Sequence, residues 1–215
     1  MALAFDAAVD GGSTTGTSRT FSHTCSGSNR LLIVGVRGGT TADGDVITGV
    51  TYNGVSMTKI FGNEPLGNRW TYLYYLINPA SGANNVVISA SASINISGAA
   101  SSYTGAYQSS QPDAYTNNSS ATSPLTTTNT TLIDNCWNVL VVVSNTGQAA
   151  STGSTQRTID GAGTFGLYDT NGAKTPAGSV SMTVTALNFL NSIMASIIPD
   201  TYTPTSTFIP RINIY

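Results

Sequence analysis

The sequence predicts an all-β protein, and three observations support this prediction. Only 8% of the 215 residues are charged, although 40% are hydrophobic, so Ser, Thr, Asn and Gly stand where Lys and Glu usually cover a surface. Helical surfaces favour Glu and Lys, whereas strands favour Thr, Val, Ile and Tyr. Short alternating segments recur between turn residues. We expect two antiparallel sheets packed face to face as a jelly-roll-like sandwich of about a dozen strands.

The first half opens with the candidate strands "LAFDAAV" and "TSRTFSHTC". "RLLIVGV" (30–36) is apolar throughout, which is typical of a strand covered on both faces. "VITGVTY" and "VSMTKIF" flank Asn53-Gly54, a dipeptide that supplies the positive φ angles of a type I′ turn and predicts a hairpin.

The clearest strand follows "RWTYLYYLI" and covers residues 86–97. Successive side chains of a strand point to opposite faces. Alternate positions here are apolar, and the positions between them are mainly Ser and Asn, so one face packs on a core and the other meets water. The apolar set is Val86, Ile88, Ala90, Ala92, Ile94 and Ile96.

The second half repeats this plan. "CWNVLVVVS" (136–144) matches "RLLIVGV", and "LYDTNGAKTPAGSVSMTVTA" matches "LYYLINPASGANNVVISAS". We therefore predict one sandwich domain, residues 1–198, assembled from two similar halves, 1–111 and 112–198, with a long crossover near residues 112–123. Residues 199–215 contain three prolines and predict an extended C-terminal arm. The arm would dock through its apolar residues, which are Phe208, Ile209, Ile212, Ile214 and Tyr215.

Composition argues against several classes of partner. The net charge is −2 and the arginines are scattered, whereas nucleic-acid binding requires clustered basic residues. No apolar run approaches the ~20 residues of a membrane helix. "MALAFDAAVDGG" lacks a basic n-region and contains two Asp residues, so we do not expect a signal peptide.

No set of catalytic or cofactor-binding residues stands out, so we expect no enzymatic activity and no cofactor. The single histidine, His23, shares a strand face with Phe21 and Cys25, which favours a hydrogen-bonded core position over general-base catalysis. "GAGTFG" (161–166) matches a dinucleotide motif literally, but a strand and a turn follow it where the motif needs a helix. Most acidic residues lie in turn signals, where Asp forms Asx-turns. Asp43 and Asp45 are a weak candidate for a shared calcium ion, without EF-hand spacing.

Cys25 and Cys136 leave two interpretations open. They could form a disulfide, or each could be a small buried side chain.

Trp70, Tyr72 and Tyr74 share one parity of their strand and also leave two interpretations open. An exposed row of this kind is suited to stacking on sugar rings. Alternatively the strand is central and covered on both sides, since neither of its faces is polar.

The segments "SNRLLIVGV", "VTYNGVSMTKI", "LYYLINPASGANNVVISAS" and "SSYTGA" resemble a β-sandwich domain of uncharacterised bacterial and phage proteins. The likeness covers residues 28–106 and rests on V-T-Y-N-G-V, Y-L-x-N-P-A-x-G and S-Y-x-G signatures. It implies the fold and a phage or cell-surface setting, and it transfers no functional residues.

These observations favour a structural protein of a bacteriophage virion, most simply a capsid decoration or head-associated protein. Its expected partners are copies of itself, with a trimer as first expectation, and other virion proteins, after assembly in the host cytoplasm. The alternative is a carbohydrate-binding or adhesion module of a phage tail or bacterial surface, located outside the cell, which would bind surface glycans through Trp70, Tyr72 and Tyr74.

Overall fold

The structure, a computed structural model, describes residues 1–39, 45–63 and 69–204. These residues form fifteen β-strands and no helix, and all the strand pairs are antiparallel. The predicted all-β antiparallel sandwich is therefore confirmed, with three hydrogen-bonded sheets in place of the two expected.

One sheet of seven strands comprises half 1, residues 1–111. Its strands are β1 (Ala4–Cys25), β2 (Leu31–Gly38), β3 (Ile47–Tyr52), β4 (Val55–Ser56), β5 (Thr58–Asn63), β6 (Trp70–Ile77) and β7 (Gly82–Thr104). The β3–β4 hairpin turns at Asn53 and Gly54, whose φ angles are 50° and 76°, as the sequence predicts.

Two long strands fold half 1 into two layers. β7 pairs with β1 along most of its length, with β3 in its first part and with β2 in its second part. The outer layer of half 1 is thus β3, β4, residues 82–90 of β7 and residues 18–25 of β1. The inner layer is β2, β5, β6 and the remaining parts of β7 and β1.

Half 2, residues 112–198, contains the other two sheets. Its strands are β8 (Tyr115–Thr122), β9 (Leu125–Thr130), β10 (Trp137–Val143), β11 (Ala149–Ala150), β12 (Thr155–Ile159), β13 (Phe165–Asp169), β14 (Ser179–Thr185) and β15 (Asn188–Ile197). The inner layer has the order β12-β13-β10-β15-β8 and the outer layer the order β11-β14-β9. Strand β8 occupies the stretch predicted as a crossover. That prediction was wrong, since "YTNNSSAT" is an edge strand without apolar alternation.

The two halves have the same strand order. The inner layer of half 1 is β5-β6-β2-β7-β1, which matches β12-β13-β10-β15-β8 of half 2 strand for strand. In half 2, β8 with β9 replaces the single long β1, and β14 with β15 replaces the single long β7. The sequence echo predicted from the strand patterns thus corresponds to two similarly connected halves.

Residue pairings give the equivalences in detail. The Leu-Tyr pair that begins at Leu73 in half 1 matches the pair that begins at Leu167 in half 2. Leu73 pairs with Gly35 and Leu167 pairs with Val141, so Gly35 corresponds to Val141. By the same registers Leu32 corresponds to Asn138, and their partners Ser102 and Ser196 correspond to each other.

Three apolar clusters separate four layers. One lies between the layers of half 1 and includes Val34, Tyr72 and Ile88. A second lies between the inner layers of the two halves. The third lies between the layers of half 2 and includes Leu140 and Met182. Strands β2 and β10 each contribute to two clusters, which explains why both are apolar throughout.

The contact between the halves is nearly reciprocal. The contact of β15 with β5 is equivalent to that of β7 with β12. In the same way, the contact of β10 with β6 is equivalent to that of β2 with β13. At the margins, the ring of Phe61 in β5 lies 5.7 Å from that of Tyr115 in β8, and Arg157 of β12 covers the ring of Phe5 in β1 at 4.1 Å. This reciprocity is that of an isologous interface between two similar units.

Candidate functional site

The end of half 1 holds a polar group of four side chains, called here the Asp6 cluster: Asp6, His23, Ser26 and Ser102. Asp6 lies in β1 at a register shift between Phe5 and Ala7, which leaves it unpaired with β7. His23 lies on the inward face of the same strand near its other end. Ser102 comes from the second part of β7. The bend of β1 and β7 therefore brings together residues far apart in sequence.

Asp6 is the acceptor at the centre of the cluster. Its Oδ2 atom accepts hydrogen bonds from the Ser26 backbone N–H at 2.9 Å and from the Ser102 hydroxyl at 2.7 Å. The Ser26 hydroxyl donates to Oδ1. Ser102 Oγ also lies 3.0 Å from His23 Nε2. Because the single hydroxyl proton of Ser102 goes to Asp6, its oxygen accepts from His23, whose proton is therefore on Nε2.

Burial and hydrogen bonding together set the protonation states of this cluster. His23 is only 3% exposed, and burial lowers its pKa to about 4, although the Asp6 carboxylate acts in the opposite direction. Burial raises the pKa of Asp6, but hydrogen bonds from Ser26 and Ser102 outweigh it, so the net shift is downward. At neutral pH the cluster therefore combines a carboxylate with a neutral imidazole.

This geometry differs from that of an activated serine nucleophile. In a Ser-His-Asp site the hydroxyl donates to an imidazole that the carboxylate orients. Here the Ser102 hydroxyl donates to the carboxylate, and Ser102 is fully buried. The prediction that His23 is a hydrogen-bonded core residue agrees with these contacts.

A second polar group joins the two halves around their shared apolar cluster. Asp169 of β13 accepts from Arg157 Nε at 2.6 Å and from the Tyr103 hydroxyl of β7 at 3.0 Å. Arg37 of β2 donates to Thr164 Oγ1 at 2.7 Å and lies 3.8 Å from Asp160. Arg69 donates to the Ser144 carbonyl at 2.7 Å. These charges are used for cohesion between the halves.

The aromatic row does not form an exposed platform. Tyr72 and Tyr74 are buried and belong to the apolar cluster of half 1, and only Trp70 is partly exposed, with its ring stacked on Tyr72. Of the two interpretations of Trp70, Tyr72 and Tyr74, the structure therefore has the central strand that is covered on both sides. Both faces of β6 are covered, because its other face meets the inner layer of half 2.

The remaining sequence candidates are placed as follows. The Asp45 carboxylate forms an ion pair with Lys59, while Asp43 lies outside the described residues. Within the described ranges, no three His, Cys, Asp or Glu side chains meet in a group that could hold a metal ion. The "GAGTFG" segment leads into β13. The arm residues Phe208, Ile209, Ile212, Ile214 and Tyr215 lie outside the described part of the chain.

Both cysteines are buried free thiols. Cys25 belongs to the apolar cluster of half 1, and Cys136 lies 3.8 Å from the Asp113 carboxylate. Burial, with Asp113 adding to it, raises the pKa of Cys136 to about 12. The structure therefore agrees with the interpretation of Cys25 and Cys136 as small buried side chains and not with a disulfide between them.

Sequence reasoning missed Asp6 and Ser102 as partners of His23. A signal was present: Asp6-Ala7 and Asp113-Ala114 begin corresponding segments of the two halves. Asp113 accepts from the Leu132 backbone N–H at 2.7 Å, as Asp6 accepts from that of Ser26. Comparison of the two halves would have marked this aspartate as a fixed part of the fold.

No protein-family model, curated protein or solved structure matches this chain. Among the described residues, no helix has the length and apolarity needed to cross a membrane.

Proposed function

We propose that this chain is a non-enzymatic structural protein of a bacteriophage virion, in the role of a capsid decoration or head-associated protein. The observation that carries the proposal is the division of polar groups in the fold. Two arginines of half 1 and the buried Asp169 carboxylate of half 2 hold one half to the other. The outer layer of half 2 presents hydroxyls in cross-strand pairs, Thr126 with Thr183 at 2.9 Å and Thr128 with Ser181 at 2.8 Å.

This division suits a passive building block. Four packed β-layers resist deformation because close-packed interiors are nearly incompressible. A surface of paired, uncharged hydroxyls can face neighbouring proteins without the desolvation cost of charged groups. The proposed partners are copies of this chain, with a trimer as the first expectation, and other virion proteins. The glycan-binding alternative would need a surface other than the buried Tyr72 and Tyr74.

The direct test is the protein content of purified particles. Mass spectrometry of virions from the phage or prophage that carries this gene is expected to find the chain in a fixed ratio to the major capsid protein. Particles that contain all other virion proteins and lack this chain would overturn the proposal.

A second test addresses the arm. Light scattering of the purified full chain is expected to show an oligomer, and a chain truncated after Pro204 is expected to be folded and monomeric. Because the truncation leaves all described strands intact, loss of folding would contradict the docking role of the arm. The same oligomeric state for the full and the truncated chain would also contradict it.

A further inference from the structure

The two halves contain the same polar bridge built from different chemical groups. His23 pairs with Asn84 of β7, and Asn129 pairs with Val180 at the corresponding point of β14, so Asn129 stands where half 1 has His23. Asn129 Nδ2 donates to Ser196 Oγ at 2.6 Å, and the Ser196 hydroxyl donates to Asn138 Oδ1 at 2.8 Å. The serine of half 2 thus donates to a neutral amide, whereas Ser102 donates to the Asp6 carboxylate. Asp113, the counterpart of Asp6 in half 2, instead accepts from the Leu132 backbone N–H and lies beside Cys136.

We propose that Asp6, Ser102 and His23 form an acid-sensitive latch, which joins the two layers of half 1 at neutral pH and releases them on acidification while half 2 stays closed. The inference concerns the fold of the chain itself and holds whether or not the protein belongs to a virion.

The position of the cluster makes it a latch. His23 lies in the part of β1 that belongs to the outer layer, whereas Ser102 and Asp6 belong to the inner layer. The chain His23–Ser102–Asp6 therefore crosses from one layer to the other. When Asp6 is protonated, it loses the negative charge that strengthens its hydrogen bonds from Ser26 and Ser102. When His23 is protonated, a positive charge lies in a buried site. Either event weakens the link between the layers.

The other ionisable groups around His23 do not titrate in acid. Cys25 lies two positions after His23, at the end of β1. Tyr52 of β3 donates a hydrogen bond from its hydroxyl to the His23 carbonyl at 3.1 Å. Burial raises the pKa of Cys25 and raises that of Tyr52 to about 12, so both stay neutral. Asp6 and His23 are therefore the groups that respond.

Both responses have the same sign. The pKa of His23 is about 4 in the fold and 6.5 in an open chain, so the open form takes up its proton first as pH falls from 6.5 to 4. The pKa of Asp6 is lowered in the fold, so its stabilisation is lost at still lower pH. For His23 alone, the equilibrium for opening is expected to rise by roughly 80-fold over this range and to approach a limit of roughly 300-fold only at lower pH.

Hydrogen exchange of the full chain tests the latch, with the rates corrected for the intrinsic effect of pH. Between pH 7 and pH 4, amides of residues 18–25 and 82–90 are expected to lose protection by roughly 100-fold. Amides of β9 and β14, the equivalents in half 2, are expected to change less than about threefold. Equal loss in the two halves, or none in half 1, would overturn the proposal from the wild-type chain alone.

Two reciprocal variants assign the effect to the imidazole. His23→Asn installs the residue of half 2 and is expected to remove the part of the pH dependence between pH 6.5 and 4. Asn129→His is expected to give β9 and β14 an acid sensitivity that they lack. If His23→Asn keeps the full wild-type pH dependence, the latch is contradicted. If that variant does not fold, the Asn129→His result decides, and unchanged protection of half 2 in acid then counts against the proposal.

Discussion

The Tyr103 hydroxyl donates a 3.0 Å hydrogen bond to Asp169 across the boundary between the two halves. The same carboxylate accepts from Arg157 Nε at 2.6 Å and from the Asn171 backbone N–H at 2.9 Å. Asp169 is fully buried, and burial followed by the nearby Asp169 charge raises the pKa of Tyr103. One carboxylate thus joins β7 of half 1 to β12 and β13 of half 2.

We expect Asp169→Asn to destabilise the protein strongly. The amide keeps the size of the side chain, but it removes the charge and leaves the largely buried Arg157 guanidinium without its carboxylate. Breaking a buried ion pair on one side costs about 3 kcal/mol or more. Urea unfolding should show this loss as a lower free energy of unfolding. Tyr103→Phe is the matched control, since it removes only one hydrogen bond and should cost about 1 kcal/mol. Equal losses for both variants would contradict this assignment.

The two thiols are expected to be inert in the folded protein. Both cysteines are buried, and the pKa of each thiol is raised by burial, to about 12 for Cys136. The thiolate is the reactive form, so little of it is present at pH 8. A thiol-exchange reagent should detect no thiol in the native chain and two after denaturation without reductant. A count of zero in the denatured chain would mean that Cys25 and Cys136 form a disulfide.

Thr71→Val is expected to stabilise the protein. Thr71 is fully buried, and its Oγ1 atom has no hydrogen-bond partner among the described residues. Valine has the same shape without the hydroxyl, so the change removes a desolvated polar group and should gain about 1 kcal/mol. Thr127→Val is the control, because the buried Thr127 hydroxyl pairs with that of Ser192 at 2.7 Å and its loss should be destabilising. Thermal unfolding of both variants measures the difference, and stabilisation of both would contradict the argument.

Local pattern was sufficient to predict most strands and their faces. In β14, Met182 and Val184 are buried while Ser179 and Ser181 are exposed, as alternation requires. The covered strand β2 and the hairpin at Asn53-Gly54 also follow from short-range chemistry. These features depend on neighbours in sequence, so a single chain is enough to predict them.

Long-range features could not be predicted in this way. β7 bends between its pairing with β3 and its pairing with β2 without any turn signal, so nothing in "ISASASIN" indicates that half 1 has two layers. The contact of His23 with Ser102 spans 79 residues and depends on that bend. Nor does a pattern tell which covered strands face each other, since both faces of β2 and of β10 are apolar.

Gly35 and its equivalent Val141 face each other at the centre of the contact between the halves. A Cβ atom on Gly35 would lie 2.8 Å from Val141 Cγ2 and 3.0 Å from Leu167 Cδ2. In an isologous interface, residues near the axis meet their own equivalents, and two branched side chains do not fit at this separation. The small residue in half 1 is therefore what allows Val141 in half 2.

Gly35→Ala is accordingly expected to cost about 1–3 kcal/mol through overpacking. Gly49→Ala is the control, because nothing lies within 4 Å of its Cβ position and β3 should accept the change without loss. Adding Val141→Ala to Gly35→Ala removes the atom that clashes. In urea unfolding, the loss in free energy of unfolding of the double variant should therefore be smaller, by at least about 1 kcal/mol, than the summed losses of the two single variants. Strict additivity would mean that Gly35 and Val141 do not share this space, and the close contact of the two equivalent strands would then have to be abandoned.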